Sequence, residues 1–215
     1  MTTCDRQGGF TLLEIIVVLA VMGILLGAAV PMASALVDAD RRTEAKAELD
    51  QIAVALEAYY YDNGAFPAAL TTSGFFGQHL QPGIGNTVVE DAFGGGQYLY
   101  SVSTGADTAT VYSRGENAVD DGAASEEYVA VVHGAVPGLR RTTLRIRIIA
   151  EVLADHIESG GSVAGSWSTL RAQLGLGAEY DADGFGTAFQ WTAATYTLTS
   201  AGPDRSFGTS DDITI

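Results

Sequence analysis

From Ile15 to Val37 the chain runs 23 residues without a charge, rich in Ile, Leu, Val and Ala. No other feature limits the fold so tightly. A bilayer core needs about 20 such residues in a helix, so the stretch is long enough to span a membrane. A secretory signal carries its small-residue cleavage site after the apolar core. Here Gly8 and Gly9 come before it, closing a short polar segment, Met1 to Gly9, in which Arg6 lies beside Asp5. A cut between Gly9 and Phe10 therefore leaves the hydrophobic helix on the mature protein. A plain signal anchor is the competing reading.

Two residues inside this segment call for a reason. Glu14 lies one turn into an otherwise apolar segment, where an ionised carboxylate in lipid costs on the order of several kcal/mol. Pro31 removes a backbone hydrogen bond from the same helix. Cleavage before Phe10 creates a cationic amine four residues from Glu14. In a helical array the amine of one subunit can pair with Glu14 of its neighbour, neutralising both charges in lipid and setting the register.

Past Val37 polarity rises while helical periodicity persists. Ala45, Leu49, Ile52, Leu56 and Tyr59 recur at spacings of four, three, four and three, the stripe of an amphipathic helix. Asp62-Asn63-Gly64 supplies its stop signal. The result is one long helix of about 50 residues counted from Phe10, apolar all round in its first half and on one face in its second. The cluster Tyr59-Tyr60-Tyr61 reads as packing at the core and its rim. Alternating, aromatic-rich runs at Gln97–Val102, Thr108–Tyr112 and Tyr128–Val132 predict short antiparallel strands, which makes the fold class α+β.

Charge narrows the function. Eleven Lys and Arg face 26 Asp and Glu, a formal net charge of −15, so the chain has no basic face for nucleic acid. The acidity is either a solvated surface or carboxylates gathered around divalent cations. Cys4, the single cysteine, lies in the segment expected to be removed, leaving the mature chain without an internal disulfide. His79, His133 and His156 have no metal-ligand spacing, and neither a phosphate loop nor a nucleophile elbow is present. No enzyme is expected.

The string Gly9-Phe10-Thr11-Leu12-Leu13-Glu14, followed by the apolar run, resembles the processing site of type IV pilins and type II secretion pseudopilins. The resemblance implies cutting after Gly9 by a prepilin peptidase, methylation of the Phe10 amine, an assembly role for Glu14 and a helix-kinking role for Pro31. Gly-Ala-Phe-Pro at residues 64–67 is similar to the linker after the long helix of major pseudopilins. Asp91-Ala92-Phe93-Gly94 resembles the turn that opens their small sheet.

Four landmarks recur in order. Arg41-Arg42-Thr43 returns at Arg140, where a second helix is expected to about Ser159 with Leu144, Ile148, Val152 and Leu153 as its apolar face. Asp91-Ala92-Phe93-Gly94 returns at Asp183, Ser113-Arg114-Gly115 at Ser200, and Glu126 at Asp211. The offsets of 99, 92, 87 and 85 residues fall steadily, as a second copy with shorter loops requires. The expected organisation is a leader at 1–9, a transmembrane assembly helix at 10–37, a first helix-plus-sheet module at 38–134 and a second at 135–215. Ala135-Val136-Pro137-Gly138 serves as the junction. One domain with a large insertion is the alternative.

The final stretch, Ser200 to Ile213, puts carboxylates on a glycine-containing loop, the oxygen chemistry Ca²⁺ prefers. It resembles the calcium loop of major pseudopilins. That likeness implies Asp204 and Asp211 as side-chain ligands, with Asp212 beside them and carbonyls from Ala201, Ser206 and Thr209. In the first copy Asn117, Asp120, Asp121, Glu126 and Glu127 have related chemistry at altered spacing, either a second metal loop or a solvated turn. The expected product is a single-pass inner-membrane protein with its globular part outside the cytoplasm, held in lipid until it joins a periplasmic or cell-surface filament. Its expected partners are its own copies, the prepilin peptidase and an inner-membrane assembly platform. A secretion pseudopilin leads, and a surface type IV pilin for adhesion or motility is the alternative. A membrane-anchored module that never polymerises is a third.

Overall fold

A computed structural model describes residues 11–81, 89–105, 107–126 and 128–215, with the backbone alone for residues 28–31. Gly9, Phe10 and Glu127 lie outside the described residues. The chain divides into two compact units, Met1–Glu44 and Ala45–Ile215. Helix α1, Leu12–Asn63, belongs to both. It ends where Asp62-Asn63-Gly64 predicts, with Gly64 N–H donating to the Tyr60 carbonyl.

Among the described residues of the first unit the helix has no core to pack against. Leu12, Ile24 and Met32 are 78%, 74% and 70% exposed, and none of its most apolar 18-residue window is buried. By length and composition it is able to cross a membrane. Pro31 sits within the helical backbone.

In the second unit α1 becomes amphipathic. Ala45, Leu49, Ile52, Leu56 and Tyr60 are buried, so the stripe ends on Tyr60, while Tyr59 is half-buried against Phe75. A three-stranded antiparallel sheet follows: β1 (Leu99–Ser103), β2 (Thr108–Tyr112) and β3 (Val129–His133), with β2 in the middle. The three strands expected from alternation lie within two residues of these bounds. On β2, Ala109 and Val111 point inward and join Leu49, Ile52, Leu56 and Phe75 in one core.

Helix α2 (Ala135–Glu158) opens the second half of this unit. It starts five residues before the expected Arg140, because Ala135-Val136-Pro137 forms its first turn instead of a junction. Pro137 fits there, since the early N–H groups of a helix have no intrahelical acceptor. The buried face also differs from the expected one. Thr142, Arg145, Ile146, Ile149 and Leu153 are buried, whereas Leu144 is 45% exposed and Ile148 and Val152 are half-buried. The reason is polar. Thr142 Oγ1 accepts the Gly184 N–H at 2.8 Å, and the Arg145 guanidinium donates to the carbonyls of Ala182 and Asp183. These bonds turn the helix until Gly138 meets the 183–186 turn, where a Cβ on Gly184 would lie 2.0 Å from the Gly138 carbonyl.

A short helix α3 (Trp167–Gln173), a 3₁₀ turn (Ala178–Tyr180) and a second antiparallel sheet complete the chain: β4 (Gln190–Thr192), β5 (Thr197–Ser200) and β6 (Ile213–Thr214). Ile146, Ile149, Leu153, Trp167, Leu170, Phe189 and Leu198 form a second core, separate from the first. Among the described residues, two sheets and two cores, each with its own helix, give the α+β architecture with a second helix-plus-sheet module.

Candidate assembly and cation-binding sites

Glu14 occupies a defined place at the helix start. Thr11 precedes the first helical residue and Glu14 follows three later, the spacing of a capping box. The Glu14 N–H donates to Thr11 Oγ1 at 3.3 Å, and the Thr11 N–H reaches back to Glu14 Oε2 at 3.4 Å. The return bond is long, so the carboxylate is only loosely engaged. The Thr-x-x-Glu spacing in the sequence is the signal for this box, which the reading of Glu14 as an intramembrane charge passes over.

Each module contains the same polar clasp. In the first, the buried Asp91 carboxylate accepts Ser113 Oγ at 2.8 Å and the N–H groups of Phe93 and Arg114, while Gly115 N–H donates to Ser113 Oγ. In the second, Asp183 is fully buried. It accepts Ser200 Oγ at 2.7 Å and the N–H groups of Phe185 and Thr187 at 2.9 Å each, and Gly202 N–H donates to Ser200 Oγ. The repeated tetrapeptide and the repeated serine are thus joined in space twice.

The loop from Ala201 to Asp212 gathers its carboxylates around backbone donors. Asp211 Oδ2 accepts the Asp204 N–H at 3.1 Å, and Oδ1 accepts Thr209 Oγ1 at 2.6 Å. The Thr209 hydroxyl, then the Asp204 N–H, hold the Asp211 carboxyl below its ordinary value. Asp204 accepts the Ser206 N–H and Asp212 the Gly208 N–H. At Gly202 φ is +66°, and a Cβ there would stand 2.3 Å from the Asp211 carbonyl, so the loop closes only around glycine.

Arg205, inside this loop, reaches back to the first module. Its guanidinium donates to Asp107 Oδ1 at 3.1 Å and to the Tyr60 hydroxyl at 3.4 Å, and Tyr60 itself donates to Asp107. Burial, then the Asp107 hydrogen bond, raise the Tyr60 phenol. Sequence reasoning misses this clasp, which joins residues 98 and 145 positions apart.

The first acidic loop is arranged differently. Asn117 Nδ2 donates to Asp121 Oδ2 at 2.8 Å, Tyr112 donates to Asp120, and Glu126 accepts the Asp121 N–H. Among the described residues, no three His, Cys, Asp or Glu side chains converge as a metal cluster in either loop. The histidines stay apart: His79 lies 3.7 Å from Asp62, and His156 contacts the Ser162 carbonyl.

Two family models match the chain. Residues 4–30 fit the prokaryotic N-terminal methylation motif, and residues 34–131 fit type II secretion system protein G. Over these residues the chain matches the type IV pilin and pseudopilin family. Pseudopilin relatives include the type II secretion system core protein G of Pseudomonas aeruginosa, 43% identical over 63 residues, which are 29% of this chain and 44% of the relative. On the pilin side, the toxin coregulated pilin of Vibrio cholerae is 40% identical over 62 residues, 29% of this chain and 28% of that protein. The chain thus spans less than half the length of these curated relatives. No solved structure matches it significantly. The second module lies wholly outside both family matches.

Proposed function

We propose that this pseudopilin-family chain is a structural filament subunit, cut after Gly9, methylated at Phe10 and polymerised through the Phe10–Val37 helix to support protein export by type II secretion. The observation that carries the reading is the apolar first half of α1, exposed on every side and headed by one loosely held carboxylate, Glu14. Exposed apolar surface on that scale needs lipid or other helices. Lipid serves before assembly and neighbouring copies afterwards. The new Phe10 amine of one subunit then neutralises Glu14 of the next. A prepilin peptidase and an inner-membrane platform are the further partners, and the globular part stands outside the cytoplasm. The subunit has no catalytic role.

Ca²⁺ fits the carboxy-terminal loop. Asp204, Asp211 and Asp212 offer hard carboxylate oxygens, and the Thr209 hydroxyl and the Asp204 N–H hold the Asp211 carboxyl below its ordinary value. With three acidic side chains not converging, carbonyls such as those of Ala201, Ser206 and Thr209 make up the remainder. In the first acidic loop the Asn117 amide is engaged with Asp121, which leaves the carboxy-terminal loop as the better candidate. Calcium should raise the thermal midpoint of residues 45–215, and Asp204→Ala should abolish the rise. An equal midpoint in calcium and in chelator rejects the site.

The likeness to protein G favours secretion over a surface fibre. The pilin relative and the bulky second module favour the second reading, a surface type IV pilin. Deletion of the chain followed by a secretion assay and imaging for long fibres separates the two. Blocked export without loss of fibres supports secretion, and lost fibres with normal export support the pilus.

A further inference from the structure

Helix α2 carries an exposed stripe whose first residues, Val136 and Arg140, border a groove shared with Val54, Glu57 and Asp62 of α1. Val136, Arg140, Leu144 and Arg147 follow one another at spacings of four, four and three, on one side of the helix. Val136 is 59% and Leu144 45% exposed. Arg140 and Arg147 are also exposed, and neither makes a hydrogen bond or ion pair among the described residues. In a chain with 11 basic and 26 acidic residues, two free guanidiniums beside two exposed aliphatic side chains are a concentrated basic and apolar surface.

The complementary surface is on the same chain. In the loop between β2 and β3, Val119 is 52% exposed among Asp120, Asp121 and Glu126. Among the described residues, these three carboxylates accept only from neutral donors: the Tyr112 hydroxyl, the Asn117 amide and backbone N–H groups. They form no ion pair among the described residues. The two surfaces leave the first sheet at opposite ends. Thr108 pairs with His133, two residues before α2 begins, while Tyr112 at the far end of β2 holds Asp120, about 14 Å away at 3.4 Å per residue.

We propose that the α2 stripe of one copy docks on the Val119–Asp120–Asp121–Glu126 surface of the next copy. The contact is heterologous, and heterologous contacts that do not close on themselves propagate filaments. Opposite charges flanking apolar contacts favour this pairing, and they offset the repulsion that copies charged −15 otherwise exert on one another. The proposal rests on the filament reading and adds to it a role for the second module: α2 lies beyond the protein G match, so the module supplies a lateral contact that the matched region lacks.

The test uses the full chain, expressed with its processing and assembly machinery, with filaments counted by electron microscopy. Arg140→Glu/Arg147→Glu should cut filament yield about tenfold, the equivalent of two weak ion pairs made repulsive. Asp120→Arg/Asp121→Arg should do the same, and the four substitutions combined should restore assembly. Tryptophan fluorescence checks that each variant is folded. Filaments in the parent that neither double variant disturbs overturn the interface and leave the filament reading standing, as does loss without rescue in the combined variant. A parent that never polymerises overturns both. Membranes enriched in phosphatidylglycerol provide the second arm: a filament yield that follows the lipid content in the parent but not in Arg140→Glu/Arg147→Glu, with Asp120→Arg/Asp121→Arg at the parent level, assigns the stripe to lipid and overturns the proposal.

Discussion

Replacing Asp183 with alanine should unfold the second module while leaving a conservative change nearly silent. The Asp183 side chain is fully buried and accepts three hydrogen bonds, from Phe185 N–H, Thr187 N–H and Ser200 Oγ. Hydrogen bonds to a charged acceptor contribute about 1.5–3 kcal/mol each. The three are not additive, and the parent already bears the cost of burying the carboxylate. A net loss of about 3–5 kcal/mol follows, which is most of the stability of a small module. Asp183→Asn keeps one oxygen to accept both N–H groups and turns an amide toward Ser200, so it should cost about 1 kcal/mol. Both tryptophans of the chain, Trp167 and Trp191, belong to the second core, so their fluorescence reports this module alone. In urea, with a slope of about 1 kcal/mol per molar, the alanine transition should move down by about 3 M or vanish. A shift within about 0.5 M for Asp183→Ala would refute the claim that the clasp holds the module.

Two further predictions concern Arg205 and the buried tyrosines. Arg205→Ala removes the ion pair to Asp107, whose partners are 35% and 17% exposed, and should cost about 1 kcal/mol. Tyrosine and tryptophan signals that unfold together in the parent should then separate, and continued coincidence would count against the clasp. Tyr60, Tyr98 and Tyr100 all have phenols raised above 10.0, first by burial. A raised value means that their contribution is fully present below pH 10 and is lost as the pH climbs through the folded values. Absorbance at 295 nm should therefore show these three ionising only with alkaline unfolding. Smooth titration of all nine tyrosines near pH 10 contradicts it.

The parts of the fold legible in the sequence are those fixed by local pattern. The stop at Asn63, the strand bounds around Thr108–Tyr112 and the stripe Ala45–Leu56 all follow from residues close in sequence. The face of α2 does not. Leu144, Ile148 and Val152 make an equally good stripe on hydrophobicity alone. The choice is made by Thr142 and Arg145, whose partners lie 42, 37 and 38 residues away. Helix α3 spans seven residues, too short for a period, and its signal is the Ser166 cap on Thr169. For the candidate sites, the tetrapeptide and serine repeats mark both clasps, because the same chemistry needs the same residues. Nothing near Arg205 marks its partner Asp107, since that pairing exists only once the two modules are folded together.

The central claim is that the helix headed by Glu14 assembles the chain into a filament. Glu14→Ala, introduced into the full chain with its processing machinery, tests it most directly, by comparing membrane content and filament yield for the same cells. Removing a carboxylate from the apolar segment favours insertion, so membrane levels should match or exceed the parent. Filaments should be absent, because the Phe10 amine of each incoming subunit then has no carboxylate to meet. Filaments as abundant as those of the parent would contradict the account.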